Sequence, residues 1–309
     1  MRRDASSAKT ALSLGAAVLQ CCGDWAELMK LRLASLVTLG ALVGAILGAG
    51  AWSELPRALE AAFWISCSAA SGGALNQVLE RESDRRMKRT AGRPLLTGRI
   101  SVRNAILVAG VLGAAASFGL ALHFNLLSAF MALGSLFCYV AIYTPLKRVS
   151  SLNTLVGALP GAMPVAIGYA ALAGGINGWA VSLFAIVFAW QFPHFMAIAW
   201  IYREDYRRAG MIMVPVLEGG ERAAGIQAFA YSLVLLPISL LPSVWGDAGA
   251  AYGVGALAAG LMYSAYSLRF TLVQNQCRAR ALFVVSLIYL PVLFAVIFID
   301  QWISGGLGA

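Results

Sequence analysis

The sequence predicts an all-α integral membrane protein with about nine transmembrane helices around a central cleft that opens to the cytoplasmic side. Of the 309 residues, 60% are apolar and only 12% are charged, and the mean hydropathy of +0.76 lies far above that of water-soluble globular proteins. Apolar stretches of about 20 residues, each long enough to cross a hydrocarbon core of about 30 Å, recur between short polar breaks. Their continuous apolarity argues against a β-barrel, in which short strands alternate apolar and polar residues.

The predicted helices divide the chain into one membrane domain and two short ends. Residues 33–300 form a single nine-helix domain, after a cytoplasmic N-terminal segment at 1–32 and before a short C-terminal tail at 301–309. Two long active-site loops, 79–103 and 202–225, are rich in charge, whereas the loops at the other membrane face are short and nearly featureless. The predicted spans are 33–52, 57–78, 104–122, 124–144, 152–172, 179–201, 226–245, 249–268 and 280–299.

The positions of the Lys and Arg residues indicate the orientation of these helices. With the N-terminus inside, 22 of the 23 basic residues fall in the inner segments, and only Arg57 lies outside. Because basic loops are retained in the cytoplasm, the N-terminus is predicted to be cytoplasmic and the C-terminus to lie on the outer side. The first residues show neither a cleavable signal nor a long Arg- and Ser-rich transit segment, which favours a bacterial cytoplasmic (inner) membrane.

Composition also narrows the classes of partner. The net charge of +9 follows from the membrane orientation, and the predicted fold leaves no soluble domain that could hold a nucleic-acid groove. Five cysteines occur without a CxxC pair or a histidine at zinc-ligand spacing. We therefore expect the lipid bilayer as a partner, no nucleic acid, free thiols and no metal bound by sulfur.

Three oxygen-bearing side chains around the first long loop share one helical face. Asn76, Glu80 and Asp84 follow one another at intervals of four residues, and each such step drifts by only about 40° around a helix. Mg²⁺ prefers oxygen ligands and commonly takes one or two carboxylates together with substrate phosphates. This spacing at a membrane edge therefore predicts a magnesium site.

The same loop carries a cluster of basic side chains, which suit phosphate oxygens. A solvated cytoplasmic loop with i,i+4 ion pairs also explains such arginines, but it does not explain an Asn and two acids in register. Carboxylates and arginines together favour a metal-bridged phosphate. The basic residues are Arg81, Arg85, Arg86, Lys88, Arg89 and Arg93.

Two further inner segments can complete this site. Asp205, beside Glu204 at the inner end of the sixth predicted helix, is the natural second metal anchor. After the fourth helix, Lys147 and Arg148 could close over a diphosphate, with Asn153 at the same predicted face. Cytoplasmic loops retain basic residues whatever their function, so Lys147 and Arg148 could also be present only because of the membrane orientation. Both diphosphate binding and membrane orientation therefore stay open as explanations of this loop.

His194 is the ionisable side chain predicted to lie within a membrane span. It stands 11 residues before Asp205, which places the two within about 20° of one helical face and roughly 16 Å apart. Ionisable residues inside a bilayer are commonly functional, and a neutral imidazole ligates heme iron well. Iron ligation, another contact with substrate and a packing role beside Pro193 all stay open, whereas His123 at the outer surface is expected to be incidental.

These residues make the sequence similar to a known family. Over about residues 25–300 it resembles the UbiA-type intramembrane prenyltransferases, and within them the heme-directed branch, because relatives that prenylate aromatic rings usually have Asp where Glu80 stands. It departs from the pattern at Leu31, where relatives commonly have Pro, and in the second acidic motif, which offers one clear Asp. The resemblance is carried by Asn76, Glu80, Asp84, Arg85, Met87, Arg89, Thr90, Arg93, Pro94, Tyr143, Thr144, Lys147, Arg148, Asn153, Gly157, Pro160, Gly161, Pro164, Gly168, the run from Trp190 to Phe195, Asp205, Tyr206, Gly210 and Pro215.

The resemblance implies a Mg²⁺-dependent enzyme that transfers the farnesyl group of farnesyl diphosphate to the 2-vinyl group of heme b. Water adds in the same reaction, and the products are heme O and diphosphate. Heme b would bind near His194, Lys147 would help to neutralise the departing diphosphate, and a downstream heme-modifying enzyme or terminal oxidase would receive the product. The implied metal ligands are Asn76, Glu80, Asp84 and Asp205, and the implied diphosphate ligands are Arg81, Arg85, Arg89, Arg93, Lys147, Arg148 and Asn153.

Two other functions are compatible with parts of the pattern. A prenyltransferase of the same family could act on a quinone precursor or another aromatic acceptor. A transporter would place ionisable residues or broken helices near the bilayer midplane. Here the candidate site acids lie at the inner helix ends, and among the candidate site residues only His194 lies within a span, which counts against transport.

Overall fold

The computed structural model describes residues 16–308, apart from the side chains of residues 32 and 33. All regular secondary structure in the described range is helical, and the one β contact there is an isolated bridge between Ala51 and Gly308. The prediction of an all-α fold is therefore confirmed. The predicted N-terminal segment lies partly outside the described residues, as does the last residue of the tail.

The helices are numbered here in chain order. The backbone between α6 and α7 continues as a π-helical segment at Cys138–Tyr143. Single 3-10 turns lie at Trp52–Glu54 and Val214–Val216. The helices are α1 (16–28), α2 (Leu31–Ala49), α3 (Leu55–Leu79), α4 (Arg81–Asp84), α5 (Val102–His123), α6 (Leu126–Phe137), α7 (Thr144–Leu146), α8 (Asn153–Ala173), α9 (Gly178–Ile201), α10 (Arg203–Ala209), α11 (Gly220–Ser239), α12 (Leu241–Val244), α13 (Ala250–Leu272) and α14 (Gln276–Ser304).

Six apolar helical stretches in the described chain are long enough to cross a membrane. The apolar part of α2 is shorter, at Ala34–Ala49, whereas α3 and α13 have 25 and 23 residues but a more polar composition. The six stretches support a protein that crosses the membrane several times. They are Val102–His123, Leu126–Leu146, Asn153–Ala173, Gly178–Ile201, Gly220–Val244 and Gln276–Ser304.

The helix predicted at 226–245 differs most from the structure. It begins at Gly220, directly after Gly219, whose φ of +65° lies in the left-handed region that glycine tolerates best. It is also divided at Leu240, because Pro242 near the start of α12 has no N–H with which to continue the helical hydrogen bonds. Hydropathy alone could not place either end, because both depend on backbone conformation.

Helices α2 and α8 pack against each other without intervening side chains. A β-carbon at Gly44 would lie 1.9 Å from the carbonyl oxygen of Val165, and one at Gly168 would lie 2.0 Å from that of Ala41. Small residues allow such close approach between membrane helices, where van der Waals packing replaces the hydrophobic effect. This contact brings the beginning of α2 to the same end of the bundle as the loops that follow α3 and α7.

Helix α9 lies at the centre of the bundle and packs against α8, α11 and α14. Its residues Leu183 and Trp190 belong to the largest buried apolar cluster. The indole Nε1 of Trp190 donates to the Ser286 carbonyl of α14 at 2.8 Å, and the Tyr263 hydroxyl of α13 donates to the Trp190 carbonyl at 3.1 Å. The centre of α9 is therefore held from two sides, close to His194.

Candidate active site

Asn76, Glu80 and Asp84 lie together at the end of α3. Helical hydrogen bonding continues past Leu79, since the Glu80 amide donates to the Asn76 carbonyl at 2.9 Å and the Asp84 amide donates to the Glu80 carbonyl at 2.8 Å. The relative exposures of the three residues are 0%, 6% and 1%. Three oxygen-bearing side chains thus form one buried polar face, as their spacing requires.

Each carboxylate of this face is paired with a base, one from the same loop and one from beyond α7. Lys147, which follows α7, donates to Glu80 Oε1 at 2.6 Å, and Arg93 donates to Asp84 Oδ2. Burial raises the pKa of Glu80, but the charges of Lys147 and Lys30 outweigh it and hold that pKa below its usual range. Burial raises the pKa of Asp84 by more than Arg93 lowers it.

Lys30 belongs to this site, although its position in the sequence gave no indication of it. Its Nζ donates to Asn76 Oδ1 at 2.5 Å, and the Asn76 amide donates in turn to Thr144 Oγ1 at 2.9 Å. Lys30 has a φ of +54°, the one positive value among non-glycine residues in the described range, and such strain is concentrated at functional sites. Burial lowers the pKa of Lys30 to about 7. Only the packing of α2 beside α3 reveals this contact.

Asp205 lies on α10 and pairs with Arg208, three residues along the same short helix. An apolar cluster that includes Met87 and Ala209 joins the first long loop to the second. The guanidinium of Arg89 also lies 5.0 Å from the ring centre of Tyr202. The two charged loops therefore pack against each other, although Asp205 makes no hydrogen bond to the Asn76 face in the described structure.

The other predicted diphosphate ligands occupy two kinds of environment. Arg81 and Arg85 pair with Glu82 near the surface, and Arg148 is exposed. Asn153 is buried, and its amide nitrogen donates to the carbonyls of Ser150 at 2.6 Å and Ile212 at 2.8 Å. Both amide hydrogens are used in this way, and the remaining carbonyl oxygen cannot donate to a phosphate. These contacts make Asn153 a link between two loops, whereas the sequence predicted that it binds the diphosphate directly.

The oxygen ligands present fit a divalent cation that is shared with a substrate phosphate. Within the described residues, no three Asp, Glu, His or Cys side chains are close enough to hold a metal by themselves. The Asp84 Oδ1 atom is nevertheless buried without a hydrogen-bond partner in that part of the chain. An unpaired carboxylate oxygen is costly to bury, and it is the ligand that Mg²⁺ takes when phosphates complete its coordination.

This polar face borders a cavity of about 670 Å³ that runs between α2, α3, α8, α9 and α14. At the polar end, Lys30, Tyr139 and Tyr143 line the cavity. The two tyrosines belong to the π-helical segment, a rare feature that often marks functional sites, and the Lys147 ammonium lies 4.4 Å from the ring centre of Tyr143. Lys30, which lines the cavity and donates to Asn76, thus links the charged site to an apolar chamber.

His194 lines the same cavity from α9. Its Nδ1 lies 2.7 Å from the Ser286 hydroxyl of α14, and its ring lies between those of Trp190 and Phe283, with centroid distances of 5.0 and 5.3 Å. His123, in contrast, is half-exposed and pairs with Glu60 on the far side of the molecule. The structure therefore brings His194, and not His123, into the candidate site.

Proteins similar in sequence to this chain match about nine-tenths of its length. The profile of the UbiA prenyltransferase family matches residues 37–288. The chain is 40% identical over 287 residues to a protoheme IX farnesyltransferase of Solibacter usitatus, an alignment that covers 90% of this chain and 98% of the relative. It is 42% identical over 291 residues to a protoheme IX farnesyltransferase of Koribacter versatilis, with 91% and 94% covered.

Solved structures share the fold at lower sequence identity. A digeranylgeranylglyceryl phosphate synthase has a TM-score of 0.75 at 16% identity, with 91% of this chain and 98% of that chain covered. A UbiA homologue of Archaeoglobus fulgidus bound to DMAPP and Mg²⁺ has a TM-score of 0.59 at 19% identity, with 89% and 99% covered. With the six apolar helical stretches, these similarities establish a multi-pass membrane protein. The chain belongs to the UbiA prenyltransferase family.

Proposed function

We propose that this protein transfers the farnesyl group of farnesyl diphosphate to the 2-vinyl group of heme b, with addition of water, and so forms heme O and diphosphate. The observation that carries the proposal is a largely apolar cavity of about 670 Å³, one end of which is lined by Lys30 beside the buried acid–base site. Relatives with 36–42% identity over about 90% of this chain are protoheme IX farnesyltransferases, which supports heme b as the acceptor.

The charged end of the cavity is assigned to the diphosphate. Mg²⁺ would be held by the oxygens of Asn76, Glu80, Asp84 and Asp205, and when bound it would neutralise charge on the diphosphate. Lys30 and Lys147 supply ammonium groups beside this ligand set. These cations stabilise the charge that develops on the diphosphate as the bond between its oxygen and farnesyl C1 breaks.

Substrate binding is expected to exchange the ion pairs of the site. Without substrate, Lys147 pairs with Glu80 and Arg93 pairs with Asp84. A diphosphate that arrives with its metal offers phosphate oxygens to the bases and a cation to the acids. The basic side chains would therefore turn to the phosphate, with Arg81, Arg85, Arg89 and Arg148 closing from the loop surface. Asn153 would position Ile212 and the second loop rather than contact phosphate.

The chamber is assigned to the farnesyl chain and the heme. Loss of diphosphate leaves an allylic cation at farnesyl C1, and the 2-vinyl group attacks it to form a carbon–carbon bond. The positive charge then lies on the vinyl carbon next to the porphyrin, where a water oxygen adds and loses a proton. The apolar walls limit premature hydrolysis of the first cation. The heme is placed at His194, an ionisable side chain on the α9 wall of the chamber.

The membrane arrangement proposed for this reaction has nine crossings in one domain over residues 33–300. Helices α2, α3 and α13 complete the six apolar stretches, and the loops 79–103 and 202–225 form the active-site face. The cleft then opens to the cytoplasm of a bacterial inner membrane, with the N-terminus inside and the C-terminus outside, because 22 of 23 basic residues fall on that side. Heme O leaves to a heme-modifying enzyme or a terminal oxidase.

The test is mass spectrometry of hemes extracted from a bacterial host that lacks its own heme O synthesis and expresses this protein. A new heme that carries one hydroxyethylfarnesyl group is expected, and the Asp84→Asn variant, inserted to the same level, should yield only heme b. Unmodified heme b from well-inserted wild-type protein, with farnesyl diphosphate present, would overturn the proposal. Farnesylation of an added aromatic acceptor in that same experiment would identify the alternative.

A further inference from the structure

His194 is held in one orientation by three residues of two helices. The rings of Trp190 and Phe283 lie near parallel to the imidazole, at 22° and 29°. Both rings stack on the imidazole, and its polar contacts are made through the nitrogens at its edges. One edge carries Nδ1, which lies 2.7 Å from Ser286 Oγ, and the opposite edge carries Nε2.

The hydrogen bonds of Ser286 bear on which nitrogen of His194 carries the proton. The Ser286 hydroxyl donates to the Phe283 carbonyl at 2.5 Å, one turn earlier in α14. A hydroxyl has one hydrogen, so a hydroxyl that donates to this carbonyl can act toward His194 only as an acceptor. This arrangement favours the tautomer with the hydrogen on Nδ1, in which Nε2 keeps its lone pair.

The lone pair of Nε2 has no competing donor in the described chain. The hydrogen bonds of the residue involve Nδ1 alone, and Nε2 is not among the enclosed polar atoms that lack a partner. His194 is a wall residue of the cavity. A neutral imidazole with a fixed Nδ1–H and a bare Nε2 is the form in which histidine binds a metal.

We infer that Nε2 of His194 ligates the iron of the heme acceptor and that Ser286 is the positioning residue that selects this tautomer. The inference rests on the proposed function in taking heme as the ligand of the chamber. The ligand class follows from the chemistry of the chamber, because a planar apolar molecule with a central metal suits an apolar cavity whose wall offers one imidazole nitrogen. Ligation would fix the iron and so restrict which porphyrin edge faces the charged end of the cavity.

The test uses purified full-length protein in lipid nanodiscs with added heme b, in optical and resonance Raman spectra. The wild type is expected to show a histidine-ligated iron, and His194→Ala should lose that signature. Ser286→Ala keeps the backbone carbonyl that holds Trp190, so it removes only the hydroxyl. It should shift the iron–histidine stretching band of ferrous heme and weaken heme binding by about 10-fold. Ser286→Thr should restore both.

A matched control is Ser232→Ala. Ser232 is as buried as Ser286 and its hydroxyl also donates to a carbonyl one turn earlier, at 2.7 Å, but it has no histidine partner in the described structure. Its spectrum and heme affinity should equal those of the wild type. An iron–histidine band that is unchanged in Ser286→Ala, or a wild-type spectrum without a histidine ligand, would overturn the inference.

The heme O assay separates this inference from the proposed function. If the iron is histidine-ligated and Ser286→Ala moves its band, but no farnesylated heme forms, the inference stands and the farnesyl transfer fails. If heme O forms while both variants leave the heme spectrum unchanged, the proposed function stands and His194 has a packing role.

Discussion

The two charged loops both present carboxylates to the same end of the bundle, but they hold them differently. In the first loop the Asp84 and Arg93 side chains are 2% and 14% exposed, and Glu80 pairs with Lys147 from beyond α7. In the second loop Asp205 pairs with Arg208 of its own helix, and that arginine is 44% exposed. The first loop is therefore fixed by tertiary contacts, whereas the charge pair of the second is local.

This difference indicates a division of labour between the loops. A face held by Lys30, Lys147 and Arg93 has its acids and bases in place before substrate arrives, so a metal-bound diphosphate would only have to exchange their partners. Asp205 can turn with α10 once a metal-bound diphosphate attracts it. The second loop is nevertheless anchored, since the Ile212 amide donates to the Lys147 carbonyl at 2.7 Å.

The largest expected effect is at the unpaired oxygen of the first loop. Asp84→Asn keeps the shape of the side chain and removes the negative charge that a cation needs. Turnover should fall on the order of 10²- to 10³-fold, and because burial already raises the pKa of Asp84, membrane insertion and stability should be retained. Farnesyl transfer measured at saturating Mg²⁺ checks this. Near-normal turnover would remove Asp84 from the metal site.

A double substitution separates catalysis from folding at the Glu80–Lys147 pair. Lys147→Met leaves a buried carboxylate without its cation, which should cost about 3 kcal/mol of stability and about 100-fold in turnover. Adding Glu80→Gln should restore most of the thermal stability, because no buried charge is left unpaired, while turnover stays low. Recovery of both together would mean that the pair is structural only.

A smaller effect is expected in the second loop. Asp205→Asn should lower kcat/KM by roughly 10-fold at low Mg²⁺ and less at high Mg²⁺, since one ligand of several is weakened. Glu204→Gln is the matched control, because Glu204 is 63% exposed and pairs only with Arg207. A loss in Asp205→Asn as large as that in Asp84→Asn would contradict the proposed difference between the loops.

The smallest effect on activity is expected at Asn153. Asn153→Ala removes two hydrogen bonds to buried carbonyls and should lower stability by about 2 kcal/mol, with little change in the KM for farnesyl diphosphate. Thermal unfolding and steady-state kinetics on the same preparation measure both quantities. A large rise in KM at unchanged stability would return Asn153 to the diphosphate site.

Sequence patterns predicted most of what depends on neighbouring residues. The helical spacing of Asn76, Glu80 and Asp84 correctly predicted one shared face, since helix geometry determines it. The same reasoning used Lys30 only as one of the basic residues that orient the helices. It could not predict the contact with Asn76, because the two residues are 46 positions apart in the chain. Asn153 was expected to contact the diphosphate. Only the fold shows that its amide nitrogen donates to the Ile212 carbonyl.

The sequence by itself determined the solvent and the fold class, and it predicted the chemistry of the charged loops. Long apolar stretches require a membrane, and acids and arginines in register suit a metal-bound phosphate. The tertiary structure decided which base meets which acid, and it brought Ser286 to His194 across 92 residues. Those pairings depend on how helices distant in the chain pack together, and hydropathy and spacing describe only neighbours along it.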